Sequence, residues 1–220
     1  MSSSRVIAID GAAGSGKTTL ARGLARDLDM PYLNTGLMYR ALTLAALRSG
    51  LDLDDGDALA ELTSRLRFTM SPLEHGAELQ IDDAPPESEL ESPRVDETVS
   101  AVSRHPQVRA LMRDRQRALG LRRAVVEGRD IASVVFPDAA VKIYLVADPR
   151  ARIQRRAGQR LTARKAVARS LRDRDALDAA VNPFEPAEGA VVIDTGLMDA
   201  DATVSAVIEV IRKRAPELIP

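Results

Sequence analysis

Residues Gly11 through Thr18 read Gly-Ala-Ala-Gly-Ser-Gly-Lys-Thr and satisfy the spacing G-x-x-x-x-G-K-[ST]. Glycines at such positions let a loop wrap an anion with its backbone N–H groups, and a helix opening at the last glycine aims its positive end at the same anion. Lys17 has the reach to meet β- and γ-phosphates, and the Thr18 hydroxyl is a hard oxygen suited to Mg²⁺. Gly11, Ala12, Ala13, Gly14, Ser15, Gly16, Lys17, Thr18 and the adjacent Thr19 are therefore the candidate ATP contacts, with Thr18 the candidate metal ligand. A chance Gly-rich turn would produce the same letters. An apolar run before the loop and a helical pattern after it set that explanation aside.

The use made of the triphosphate is a separate question. A regulatory GTPase needs an N-K-x-D base-reading motif, and a mechanical ATPase an apolar run ending in Asp-Glu; neither is present. A small-molecule kinase needs a second anion site facing the γ-phosphate. Two segments qualify. Thr35-Gly36-Leu37-Met38-Tyr39-Arg40 opens a helix after a short apolar run, and Ala124-Val125-Val126-Glu127-Gly128-Arg129-Asp130 ends an apolar run in an acid, a glycine and Arg-Asp. Both fall where strands end, the edge at which open α/β sheets bind ligands. Arg40 taken alone is equally well read as a solvated helix residue.

The elements that must position these residues alternate. Residues 6–10, 31–34, 124–127, 142–147 and 190–194 read as buried strands, and 17–28, 37–48, 108–119, 150–159 and 202–213 as amphipathic helices. That alternation predicts an α/β fold with a parallel sheet covered on both faces. About ninety residues separate the second and third strands, too many for one crossover helix. Within them, 67–70 and 78–81 read as a small hairpin. This stretch and the basic stretch before residue 190 are expected to be inserts on one domain.

Composition narrows the class. The chain has 220 residues, 45% hydrophobic, so one ample core is expected. Cys is absent, which removes disulfides and thiolate chemistry, and two isolated His cannot form a zinc site alone. Lys+Arg 31 against Asp+Glu 32 gives a net charge of −1, which argues against a nucleic-acid partner. The charge is uneven, however. Residues 74–97 hold nine acids and one Arg, whereas 149–174 hold ten Lys/Arg and one Asp. The second stretch is poised to collect phosphates, with a solvated or RNA-binding face as the plainer alternative. No apolar run is long enough to span a membrane and no secretory leader opens the chain, so a cytoplasmic protein without a membrane partner is expected. His75 and His105 read as surface or packing residues, and the six Met as core filler.

Beyond these local readings, the chain resembles the bacterial cytidylate (CMP) kinases. The resemblance lies in I-D-G-A-A-G-S-G-K-T-T (9–19), Y-L-N-T-G-L-M-Y-R-A (32–41), V-S-A-V-S-R-H-P-Q-V-R (99–109), V-E-G-R-D-I-A-S-V-V-F-P-D-A (126–139), R-D-A-L-D (174–178) and V-V-I-D-T (191–195). These motifs span nearly the whole chain in order; the loop is shared by many families, the fourth motif is specific.

The resemblance implies a P-loop nucleoside-monophosphate-kinase fold: a five-stranded parallel sheet flanked by helices, an NMP-binding insert and a short lid. On this pattern the core comprises residues 1–34, 121–154 and 179–220, the insert 35–120 and the lid 155–178. Ser100, Arg109 and Asp130 would read cytosine, Asp130 accepting from the exocyclic amine while Arg109 and Ser100 donate to the ring acceptors. Arg40 and Arg129 would hold the CMP phosphate, Thr35 and Tyr39 would line the acceptor site, and Arg174 and Asp178 would reach the ribose. Lys17, Arg129 and Arg40 would be the catalytic cations, with Arg155 and Arg156 on the ATP side. The chain departs from the pattern in three places. Asn34 stands where the family often has Asp, which weakens a water-mediated Mg²⁺ contact. Ala132-Ser133 replaces Gly-Thr. Val181 replaces a phosphate-binding Arg, the segment leading to Pro183 is about two residues short, and the lid between Arg160 and Arg172 is abbreviated, so Arg155, Arg156 or Arg172 is expected to cover the loss.

The expected activity is ATP- and Mg²⁺-dependent phosphorylation of CMP and dCMP to CDP and dCDP by a monomer. Two alternatives stay open on the residues: another small P-loop kinase, acting on UMP or a cofactor precursor, and a nucleotide-binding regulator without turnover.

Overall fold

The computed structural model describes residues 4–74, 76–120, 123–160, 168, 172, 175–177, 179 and 185–220. Strand β1 (Val6–Gly11) is buried along its whole length, because it pairs in parallel with β5 (Ala124–Gly128) on one side and β6 (Val141–Val146) on the other. Alternation of side chains across the sheet divides the core in two. Ile7 and Ile9 face Leu20 and Leu24 of α1 (Lys17–Asp27) and Val207 and Ile211 of α7 (Ala200–Arg214). Val6 and Ala8 face Leu42 of α2 (Thr35–Arg48), Val108 and Met112 of α5 (Pro106–Gly120), and Phe136. A parallel sheet so covered needs aliphatic residues on both faces, which explains the unbroken apolar runs.

The remaining strands are β2 (Tyr32–Asn34), β3 (Phe68–Pro72), β4 (Ala77–Ile81) and β7 (Val191–Asp194), and the sheet order is β3-β4-β2-β5-β1-β6-β7. The five expected strands are all present and parallel, but the sheet has seven strands rather than five. The expected hairpin does not stand apart: β4 joins β2 in parallel at Tyr32↔Glu78, and β3 pairs antiparallel outside it. Without the hairpin, β2 would be an open edge, and the core would lose Leu79, 2% exposed.

Two helices between β2 and β5 were not expected from periodicity. The first, α3 (Gly56–Arg65), is capped by Asp55, whose carboxylate accepts from Asp57 N and Ala58 N; the second, α4 (Pro93–Ser103), is capped by Ser92 with Pro93 in its first turn. Those cap residues were the legible signal. Helix α6 (Pro149–Arg160) follows β6 and opens the basic stretch. No helix among the described residues is long and apolar enough to cross a membrane.

Candidate active site

The phosphate loop leaves β1 at its carboxyl end and enters α1. Gly11 has φ +151° and passes so close to β6 that an added Cβ would lie 2.5 Å from Leu145 O. Gly16, at φ +99°, is the residue from which α1 starts, in a conformation L side chains rarely adopt. The first turn of α1 thus opens onto the loop, and Lys17, 9% exposed, folds back so that Nζ donates to Ala12 O at 2.9 Å. Thr195 closes the loop from behind, its hydroxyl donating to Ser15 O at 2.9 Å.

One cleft joins this loop to the acceptor segments. Its walls include Gly14, Lys17, Thr18, Tyr39, Arg40 and Ser100, with Arg109, Arg129 and Asp130 opposite. Ala13 and Thr35 also border it, so residues expected on the ATP side and on the CMP side meet in a single space. Arg109 Nη2 donates to Asp130 Oδ2 at 2.5 Å, and Ser100 faces the same cleft from α4. Arg129 Nη1 donates to Gly11 O at 2.8 Å, tying the acceptor turn to the phosphate loop. Burial pushes the Tyr39 phenol up to about 12, with nearby Arg109 opposing the rise.

Arg40 borders the cleft in an unforeseen way. It is 8% exposed, Nη1 donates to Leu90 O at 2.7 Å, and Nη2 forms an ion pair with Asp96 of α4. The fork expected to meet a phosphate also ties α2 to the Leu90 carbonyl and to α4. Thr19 and Arg155 line a second pocket with Gly16, Thr195, Met198 and Asp199, on the far side of the loop. There Arg155 Nη1 donates to Thr195 Oγ1 at 3.0 Å and Nη2 to Thr195 O and Met198 O, which holds the loop after β7 against the cradle. Arg172 is exposed and donates to Ala168 O at 3.2 Å. The Arg156 side chain, Arg174, Asp178, Val181 and His75 lie outside the described residues. His105 is a packing residue, its Nε2 2.8 Å from Leu53 O.

Two acids proved more central than their spacing indicated. Glu127, 3% exposed at the end of β5, accepts from Thr18 Oγ1 at 3.1 Å and from the Tyr32 hydroxyl, while its carbonyl accepts from Thr35 Oγ1 at 2.8 Å. Burial, then the adjacent Glu127 charge, raises the Tyr32 phenol well above its ordinary value, so Tyr32 stays a donor. Asp10, at the end of β1, accepts from Ile131 N and Ala132 N, both at 2.8 Å. Burial pushes its carboxyl from 3.8 up to about 6, against the lowering effect of those two N–H groups. Asp10 anchors a π-helical turn (Ile131–Val135) directly after Arg129-Asp130. The legible signal for both was an acid at the end of a wholly apolar strand.

No group of three or more His, Cys, Asp or Glu that could cage a metal occurs among the described residues. The Thr18 hydroxyl and the Glu127 carboxylate fit Mg²⁺ nevertheless, because that ion is commonly held by one or two hard protein oxygens together with substrate phosphates. Asn34, where an acid was the commoner expectation, caps α2 by accepting from Leu37 N at 3.2 Å, a role Asn and Asp fill equally.

A parallel sheet with a phosphate loop at its carboxyl edge, facing an arginine-lined acceptor cleft, defines the class of P-loop phosphotransferases. The family model for cytidylate kinase matches residues 7–213, and the chain belongs to that family. It is 41% identical over 222 residues to the cytidylate kinase of Rhodococcus opacus (strain B4), covering 97% of both chains. It is 42% identical to the cytidylate kinase of Rhodococcus jostii (strain RHA1), covering 97% of this chain and 98% of the relative. Among solved structures, an uncharacterized protein from Eubacterium ventriosum ATCC 27560 shares the fold at TM-score 0.51 and 15% identity, covering 95% of this chain and 99% of that one.

Proposed function

We propose that the protein transfers the γ-phosphoryl group of ATP to CMP and dCMP, giving ADP with CDP or dCDP. The observation that carries this reading is the single cleft in which Lys17 and Thr18 face Ser100, Arg109 and Asp130. Cytosine offers an exocyclic amine to Asp130 and ring acceptors to Arg109 and Ser100, and the Arg109–Asp130 ion pair presents donor and acceptor side by side.

An acceptor phosphate oxygen is already anionic at neutral pH, so transfer needs no general base. The obstacle is bringing two polyanions into line and stabilising charge on the transferring group. The loop amides and Lys17 hold the donor phosphates, Arg129 stands between the loop and the acceptor, and Arg40 with Thr35 lines the acceptor side. Mg²⁺, held by Thr18 and Glu127, would neutralise charge on the donor phosphates. Arg155 supports the ATP side through the loop after β7, and residues 155–178, with Arg156, Arg174 and Asp178, serve as the lid that excludes water. The core is 1–34, 121–154 and 179–220 and the NMP-binding insert 35–120. One chain supplies both sides of the cleft, which supports a monomer, and we place it in the cytoplasm.

The test is a coupled assay across CMP, dCMP, UMP, AMP and GMP, in wild type and Asp130→Asn. Wild type should prefer the cytidylates, since a site built around a substrate donor rejects its loss by up to roughly 10⁴. Asp130→Asn should narrow the CMP/UMP ratio. Preference for UMP or a non-nucleotide acceptor would replace this reading with another P-loop kinase, and ATP binding without turnover on any acceptor with a regulator.

A further inference from the structure

Three cations reach the phosphate loop from three different elements and settle on three consecutive carbonyls. Arg129, after β5, donates to Gly11 O at 2.8 Å; Lys17, in α1, donates to Ala12 O at 2.9 Å; Arg152, in α6, donates to Ala13 O at 3.1 Å. The first two already have places in the reaction proposed above. Arg152 has none, because no motif distinguishes it from the other arginines of its helix.

Its surroundings make it part of the cradle. A Cβ added to Gly14 would lie 3.3 Å from the Cβ and the carbonyl oxygen of Arg152, and Ala13 packs on Ile153 and Ala157. The Arg152 side chain is 12% exposed and pairs with Asp175 at 2.7 Å. That pair is incomplete: Arg152 Nε and Asp175 Oδ1 are buried and have no hydrogen-bond partner among the described residues. A buried donor left unmade on a cation is costly, and a ligand oxygen relieves it. Of the arginines expected to replace the one missing at Val181, Arg155 lies behind the loop and Arg172 on the surface.

We propose that Arg152 is the third phosphate cation of this site, contacting the terminal phosphate of bound ATP, and that Asp175 is the counter-ion it leaves when the triphosphate arrives. The proposal rests on the kinase reading. A phosphate oxygen competes for the guanidinium because it carries more charge than the carboxylate and can accept from both Nε and Nη in a fork. ADP lacks the γ-phosphate, so this contact discriminates triphosphate from diphosphate.

Titration calorimetry with a non-hydrolysable Mg–ATP analogue, with Mg–ADP and with CMP tests this on wild type, Arg152→Ala, Arg152→Lys and Asp175→Asn. Arg152→Ala should weaken the analogue by at least roughly tenfold while ADP and CMP move less than about twofold, and Arg152→Lys should restore part of the loss. Asp175→Asn should tighten the analogue, because the competing charge is gone. Equal losses for analogue and ADP in Arg152→Ala would make Arg152 a structural tie of the loop and overturn the proposal. So would an unchanged analogue affinity in Arg152→Ala, or unchanged or weaker analogue binding in Asp175→Asn. CMP turnover by the wild type, measured separately, reports on the kinase reading itself.

Discussion

Asp10→Asn separates two opposing effects at the junction of the phosphate loop and the acceptor turn. Asp10 is 4% exposed, its carboxyl is pushed from 3.8 to about 6 by burial, and it accepts from two backbone N–H groups at 2.8 Å. Because folding raises this pKa, the native state holds the proton more tightly than the unfolded chain. The stability tied to that proton is complete below pH 3.8 and is lost as pH climbs through about 6. Fully ionised, the group costs about 3 kcal/mol relative to its protonated form. The Asn variant escapes that cost but can accept from only one of the two N–H groups, and the other, left buried and unpaired, costs about 1–3 kcal/mol. The two terms oppose each other near neutrality and cancel at the upper end of that range, so the pH dependence is the informative quantity. Linkage gives an Asp10 contribution of about −2 kcal/mol at about pH 5 and about −3 at about pH 7, so the variant should gain about 1 kcal/mol on wild type over that range. Urea denaturation of both proteins at several pH values measures this difference directly. A stability difference that stays flat from about pH 5 to about pH 7 would refute the reasoning.

Two further substitutions probe the reacting phosphates. Lys17→Ala removes the donor that folds over Ala12 O, and kcat should fall by at least roughly 10² in the coupled assay while the calorimetric Kd for CMP moves little. Glu127→Gln keeps an acceptor for Tyr32 but removes the charge beside Thr18, so the Mg²⁺ concentration for half-maximal activity should rise by roughly tenfold, with the same weakening in Mn²⁺ binding followed by electron paramagnetic resonance in the presence of ATP.

The parts of the fold that could be read from the chain are those where one local segment contains its own instruction. Residues 6–9 are apolar on both faces because both neighbours are parallel strands, and the loop that follows is a contiguous glycine-rich motif ending in Lys-Thr. Helices α3 and α4 were harder. Their buried apolar side chains are few, Leu59 in one and Val95, Val99 and Val102 in the other, set among acids that read as a solvated tract. The attachment of the hairpin to the sheet was illegible for a different reason: it rests on one residue pair, Tyr32↔Glu78, between a three-residue strand and a segment far along the chain.

The site divides in the same way. Ser100, Arg109 and Asp130 could be placed together because each belongs to a longer motif, and the structure does bring them to one cleft. The partners of the other arginines could not be foreseen by the same means, because they are mostly backbone carbonyls. Arg40 binds Leu90 O, Arg129 binds Gly11 O, Arg155 binds Thr195 O and Met198 O, and Arg152 binds Ala13 O. Every residue carries a carbonyl, so such an acceptor leaves no mark in the sequence; only the path of the chain determines which one faces a guanidinium. Counting arginines therefore located the phosphate-collecting stretch but not the residue within it that touches the loop. On the proposal above, the same geometry lets a chain with Val181 in place of an arginine still surround its triphosphate. A guanidinium has five donors in a rigid fork, and holding a loop carbonyl with one leaves others to meet a phosphate from whichever element comes near enough. Helix α6 comes near enough because Gly14 has no side chain to keep Arg152 away.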